Sequence, residues 1–148
     1  MKGFDEYKGK SGLHIIQIIE GFNLGYTIGA VLERIVRMRN RERDIRQDMN
    51  DCIWMLRYYL DYPELQARST SPVYPRHQIE GWLADFEMVG IGRANPNRVL
   101  ANAFRLIMWA VHTNRGSELC EINIKGAMED LRRYAKRWAK EQEQTKKL

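Results

Sequence analysis

The stretch Arg43-Asp44-Ile45-Arg46-Gln47-Asp48-Met49-Asn50-Asp51-Cys52-Ile53-Trp54-Met55-Leu56-Arg57-Tyr58-Tyr59-Leu60 decides the fold class. Ile45, Met49, Cys52, Ile53, Leu56, Tyr59 and Leu60 recur at helical spacing over about four turns, with charged residues between them. Pro63 ends the run. Upstream, Thr27 to Arg39 places Ile28, Val31, Leu32, Ile35 and Val36 on one helical face, and Leu13 to Phe22 is apolar nearly all round. The latter predicts a short central helix. Alternating stretches are few, and 4 prolines and 11 glycines are too few for a β-sandwich. The expectation is all-α.

The second half repeats the order. Ile15 to Phe22-Asn23-Leu24 aligns with Ile79 to Phe86-Glu87-Met88. Leu100, Ala103, Phe104, Ile107 and Met108 match the stripe from Ile28 to Val36, behind a start signal at Asn95-Pro96. Cys120, Ile124, Ala127, Met128, Leu131, Tyr134 and Ala135 match the seven positions from Ile45 to Leu60. This pattern predicts two similar three-helix units packed as a pseudo-dimer helical bundle. The first unit covers residues 1–66, a linker 67–76, the second unit 77–140 and a disordered tail 141–148. Helices this short are expected to bury their remaining apolar faces in a homo-oligomer.

Composition narrows the function classes. The 148 residues carry 24 basic and 19 acidic side chains, a net charge of +5 that suits an anionic ligand. No apolar run approaches the ~18 residues of a membrane span, and the N-terminus does not read as a secretory signal. Cys52 and Cys120 are too few for a disulfide framework or a zinc site and read as buried thiols, so a cytoplasmic location is expected. Gly3-Phe4-Asp5-Glu6-Tyr7-Lys8-Gly9-Lys10-Ser11 imitates a P-loop but has five residues between its glycines and no preceding strand. It reads as a disordered basic leader; the alternative is a segment lying over a ligand, with Tyr7 stacking and Lys8 or Lys10 reaching a phosphate. The tryptophans, Trp54, Trp82, Trp109 and Trp138, read as core or subunit contacts, with base stacking the alternative.

Two constellations could carry chemistry. Arg34, Arg37, Arg39, Arg41, Arg43 and Arg46 put six guanidinium groups in thirteen residues, and such forks bind phosphate oxygens in pairs. Arg34, Arg37 and Arg41 fall at helical spacing; a solvated surface is the alternative. Asp44, Asp48 and Asp51 stack on one helix face and call for a facing cation. Magnesium held by Asp48 and Asp51 together with substrate phosphates is one candidate; arginines of the preceding helix are the other. Helical nucleoside-triphosphate pyrophosphatases also use carboxylates on helices, but their Glu-Glu-x-x-Glu cluster is missing here.

The runs Gly12-Leu13-His14-Ile15-Ile16-Gln17-Ile18-Ile19-Glu20 and Tyr26-Thr27-Ile28-Gly29-Ala30-Val31-Leu32-Glu33-Arg34-Ile35-Val36-Arg37, followed by Asp48-Met49-Asn50-Asp51-Cys52-Ile53-Trp54-Met55-Leu56-Arg57, resemble the small helical phage nucleotide-kinase (SaV-like) family. The resemblance covers roughly residues 6–61 and, through the repeat, 77–138. Glu6-Tyr7 stands where the family has His-Tyr, Glu33-Arg34 where it has Lys-Tyr, and Arg37 to Arg41 lack the glycine of its basic turn. In the second unit Ala101-Asn102 and Arg105-Leu106 come closer to it in charge. The resemblance implies a phage-type nucleotide-binding protein in a host cytoplasm, with phosphoryl transfer between nucleotides if it is an enzyme. Tyr7, Lys8, Arg34, Arg37, Arg41 and Asn102 would bind the nucleotide, Asp48 and Arg105 would act in catalysis, and Asp48 and Asp51 would hold Mg2+. A non-catalytic binder that sequesters a nucleotide or cyclic nucleotide is the alternative. A nucleic-acid or protein-binding module is the further one.

Overall fold

The computed structural model describes residues 6–40, 43–63, 74–89, 95–113 and 115–146. Among these the chain is all-helical, with six helices: α1 (Ile15–Gly21), α2 (Gly25–Met38), α3 (Arg46–Asp61), α4 (Arg76–Asp85), α5 (Arg98–Val111) and α6 (Glu118–Lys146). One isolated antiparallel bridge, Lys8 with His14, accompanies them. Among the described residues no helix is long and apolar enough to cross a membrane.

Helices α2 and α3 form one hairpin, α5 and α6 a second, and the hairpins join through α3 against α6 and α2 against α5. The result is a four-helix bundle carrying two short helices. Its core is continuous from Ile28, Leu32 and Ile35 of α2 through Met49, Cys52 and Leu56 of α3 to Phe104 and Ile107 of α5 and Ile124, Leu131 and Tyr134 of α6. The stripes read from the sequence are the faces that pack. One buried hydrogen bond links the hairpins: the Tyr134 hydroxyl donates to the Met38 carbonyl at 2.9 Å.

Local details recur in both halves. Helices α1 and α4 end alike. Leu24 N–H donates to Ile19 O and Met88 N–H to Leu83 O, while Asn23 N–H donates to Glu20 O and Glu87 N–H to Ala84 O. Asn23 and Glu87 adopt left-handed backbones, with φ of 50° and 60°, and the apolar residues after them, Leu24 and Met88, are buried. Such a Schellman ending satisfies the last carbonyls and turns the chain into the next helix. Asn23 and Glu87, and the apolar residues after them, thus adopt the same turn.

Three expectations are corrected. Helix α1 is not central: Ile15 and Ile18 are buried, but Ile16 is 44% exposed, so α1 caps the bundle by one face. The tail from residue 141 continues α6 as helix to Lys146. Its Glu, Gln and Lys residues are good helix formers with no breaker among them, and Arg137 pairs with Glu141 one turn on. Third, the leader is not a loose segment from residue 6 onward. Ser11 N–H donates to Asp85 Oδ1 at 3.0 Å, and Lys10 N–H to Asp85 O at 2.9 Å. A Cβ on Gly9 would lie 1.9 Å from Asp85 Oδ2, so only glycine permits this approach. Most of the expected linker, residues 67–73, lies outside the described residues.

Candidate functional site

Antiparallel pairing of α2 and α3 brings the arginine and aspartate constellations face to face. Arg37 grips Asp48 with two nitrogens: Nε donates to Oδ2 at 3.0 Å and Nη2 to Oδ1. Its third nitrogen donates to the Tyr7 hydroxyl at 2.7 Å. Asp48 is 4% exposed and also faces Arg43 Nε at 3.4 Å. Burial pulls the Arg37 guanidinium down, but Asp48 and Tyr7 outweigh it and hold its pKa above the ordinary arginine value. One turn away Arg34 Nε lies 3.4 Å from Asp51 Oδ2, while Gln47 donates to Asp51 Oδ1 at 2.8 Å.

The cation that the stacked aspartates call for is therefore present in the preceding helix. Arg43 extends the network to Glu6 at 2.9 Å. Arg39, its pKa lowered by burial, donates to the Lys8 carbonyl and lies over the Phe86 ring at 5.4 Å. Tyr7 and Lys8 thus meet the arginines, Tyr7 through its hydroxyl and Lys8 through its backbone. Asp44 stands apart, exposed and held at about 2 by its hydrogen bonds from Arg46. Arg41 lies outside the described residues. The donor oxygens expected to take magnesium, on Asp48 and Asp51, are engaged by guanidinium and carboxamide nitrogens, so they fit a structural network better than a metal ion.

Asn102 and Arg105 lead elsewhere. They project from α5 into a cleft of about 580 Å³ lined by Val89, Asn95, Arg98, Val99, Asn102, Arg105, Asp130, Arg133 and Arg137. Two helices supply the four guanidinium groups. On α5, Arg98, Asn102 and Arg105 share a face at i, i+4 and i+7; on α6, Arg133 and Arg137 are one turn apart. Asp130, the one carboxylate in the lining, is buried and accepts from Asn102 Nδ2 at 2.5 Å. Arg105 Nε reaches Glu80 at 2.8 Å, and Arg137 reaches Glu141 at 3.3 Å. Arg133 is only loosely paired, 3.8 Å from Asp130. Arg98 is exposed and has no side-chain ion pair among the described residues.

The sequence reading placed Asn102 and Arg105 with the first-unit arginines, whereas the fold puts them in this separate cleft. Arg98, Arg133 and Arg137 escaped that reading. Their signal was available in the spacing of Arg98, Asn102 and Arg105 along α5, and in Arg133 and Arg137 along α6. Compared with known proteins, the chain matches no family model, no characterised protein and no solved structure.

Proposed function

We propose that the chain is a nucleotide-binding protein that holds the phosphates of its ligand in the α5–α6 cleft. The observation that carries this reading is the convergence of Arg98, Arg105, Arg133 and Arg137 on one polar cleft containing a single carboxylate, itself held by Asn102. Guanidinium forks match paired phosphate oxygens, and Val89 and Val99 offer apolar wall for a sugar or base. The resemblance to phage nucleotide kinases agrees in ligand class. Binding without turnover is the favoured form. Asp48, the carboxylate that would serve catalysis, is buried under two arginines, and the cleft presents no second carboxylate to share a metal.

The fold reading within this proposal is a tandem duplication. Matching Schellman endings and matching stripes support it, as does the contact of α2 with α5 and of α3 with α6, each helix meeting its own counterpart. That is the contact pattern of a two-fold dimer fused into one chain. The exposed Leu119 and Ile122 on α6 offer an apolar surface for association of whole copies.

Calorimetric titration with ATP, with inorganic pyrophosphate as the phosphate-only probe, tests the site. Replacing Arg98 and Arg105 by glutamine removes two charge-assisted contacts, roughly 1.5–3 kcal/mol each, and is expected to weaken ATP binding about a hundredfold or more. Undiminished affinity in that variant would remove the cleft from the reading. Multiple-turnover formation of diphosphate from a mixed nucleotide pool would replace the binder by an enzyme.

A further inference from the structure

A second face of α6 carries features that the nucleotide cleft does not use. Between α3 and the C-terminal half of α6 runs a groove of about 630 Å³, lined by Ile45, Met49, Ile53, Ala135, Trp138 and Ala139, among others. Its walls are mostly apolar and its rim is cationic. Arg46, Arg57, Arg132 and Lys136 line it, and no acidic side chain does. Arg57, Arg132 and Lys136 have no ion pair among the described residues. Trp54 stands at the same edge, 65% exposed, its indole stacked on Tyr58 at 5.7 Å and 18°. The ladder continues to Tyr62, whose ring lies 4.8 Å from that of Tyr58. Trp138 is buried in the groove wall, and its indole N–H has no acceptor among the described residues.

A large aromatic side chain open to solvent, fixed in plane by a second ring, is a surface to stack on rather than a core residue. Unpaired cations at about one-turn spacing beside it track a chain of like negative charges. We infer that this groove is a binding surface for single-stranded nucleic acid, with a base stacked on Trp54 and the backbone phosphates held by Arg57, Arg132 and Lys136. Charge selects this occupant over a second copy of the chain. A two-fold contact through the groove would set the unpaired cations Arg57, Arg132 and Lys136 against the same three, with no carboxylate in the lining to offset them. Duplex DNA buries the faces of its bases and leaves nothing for Trp54 to stack on. Basic residues Arg132, Arg133, Lys136 and Arg137 follow one another along α6, so a strand in the groove lies one ridge away from the nucleotide cleft. The inference stands without that cleft being occupied.

The test is fluorescence anisotropy of a labelled oligothymidylate of about 12 nucleotides, across a salt series. Inorganic polyphosphate of similar charge and a duplex of the same length serve as competitors. Binding is expected, with a log–log salt slope near −2 for three phosphate contacts, roughly 0.7 each. Trp54→Ala, a surface change that leaves the bundle intact, should weaken it about tenfold or more. Arg57→Gln with Arg132→Gln should flatten the slope by about 1.4. Arg98→Gln with Arg105→Gln, the cleft variant, should leave oligonucleotide binding as it was, and Trp54→Ala should leave ATP binding as it was; the two sites thus fail separately. No binding at low salt, equal affinity in Trp54→Ala, or polyphosphate competing as well as the oligonucleotide would each overturn the inference. A monomer–dimer equilibrium in sedimentation that Trp54→Ala abolishes, without oligonucleotide binding, would assign the face to self-association instead.

Discussion

Arg37→Met separates a structural arginine from a ligand-binding one. In the native protein Arg37 forms a two-nitrogen pair with Asp48 and a third bond to Tyr7, and the side chains are only 20% and 5% exposed. Removing one member of a buried pair strands the other and typically costs about 3–5 kcal/mol. Asp48 keeps Arg43 at 3.4 Å, which offsets part of that, so a loss of about 2–3 kcal/mol is expected. For a chain of this length that lowers Tm by roughly 4–12 °C. Urea unfolding followed by circular dichroism measures it. Arg37→Met with Asp48→Leu should recover much of the loss, since the buried carboxylate is gone and Arg43 keeps Glu6 at 2.9 Å. ATP affinity of the folded Arg37→Met protein should equal that of the wild type. A variant of unchanged stability whose ATP binding is lost would refute the reasoning and return Arg37 to the ligand.

Three further outcomes follow from single contacts. His14 caps α1 by accepting the Ile16 N–H at Nδ1, and burial lowers its pKa below 6.5. The unfolded chain therefore binds the proton first, the contribution is complete above about pH 6.5, and it is lost as pH falls through the lower folded value; His14→Asn should flatten that part of a stability–pH curve. Tyr134→Phe leaves the buried Met38 carbonyl without its hydroxyl donor and should cost about 1–3 kcal/mol in the same unfolding assay. Cys52 is buried, and burial pushes its thiol well above the ordinary range; a thiol reagent should leave it untouched in the native protein and modify it in urea.

How much the sequence revealed depends on the kind of signal. The stripes on α2, α3, α5 and α6 are long-range statements about which face meets a core, and their positions are buried except Ile53, Leu60 and Ala135, which are partly buried at its edge. The Arg34/Arg37 and Asp48/Asp51 sets were each visible, but spacing along two separate helices does not reveal whether they face one another or a ligand. Antiparallel pairing supplies that answer, as the register brings Arg37 onto Asp48. The α5–α6 cleft needed the same kind of information, since Arg98 and Arg137 are far apart in the chain. Trp54 shows the limit of periodicity: it sits next to the Ile53 stripe position, about 100° further round the helix, and that rotation takes it from the packed face to solvent. The extent of α6 was open to propensity alone, which favours helix through Lys146.

The most direct test of the central claim is the Nε–Hε spectrum of the arginine side chains during titration with ATP. Residue-by-residue Arg→Lys substitutions would assign the resonances. The signals of Arg98, Arg105, Arg133 and Arg137 should shift together and saturate at one affinity, while those of Arg34 and Arg37 stay with their aspartates. Shifts confined to Arg34 and Arg37, with the α5–α6 arginines unmoved, would contradict the account.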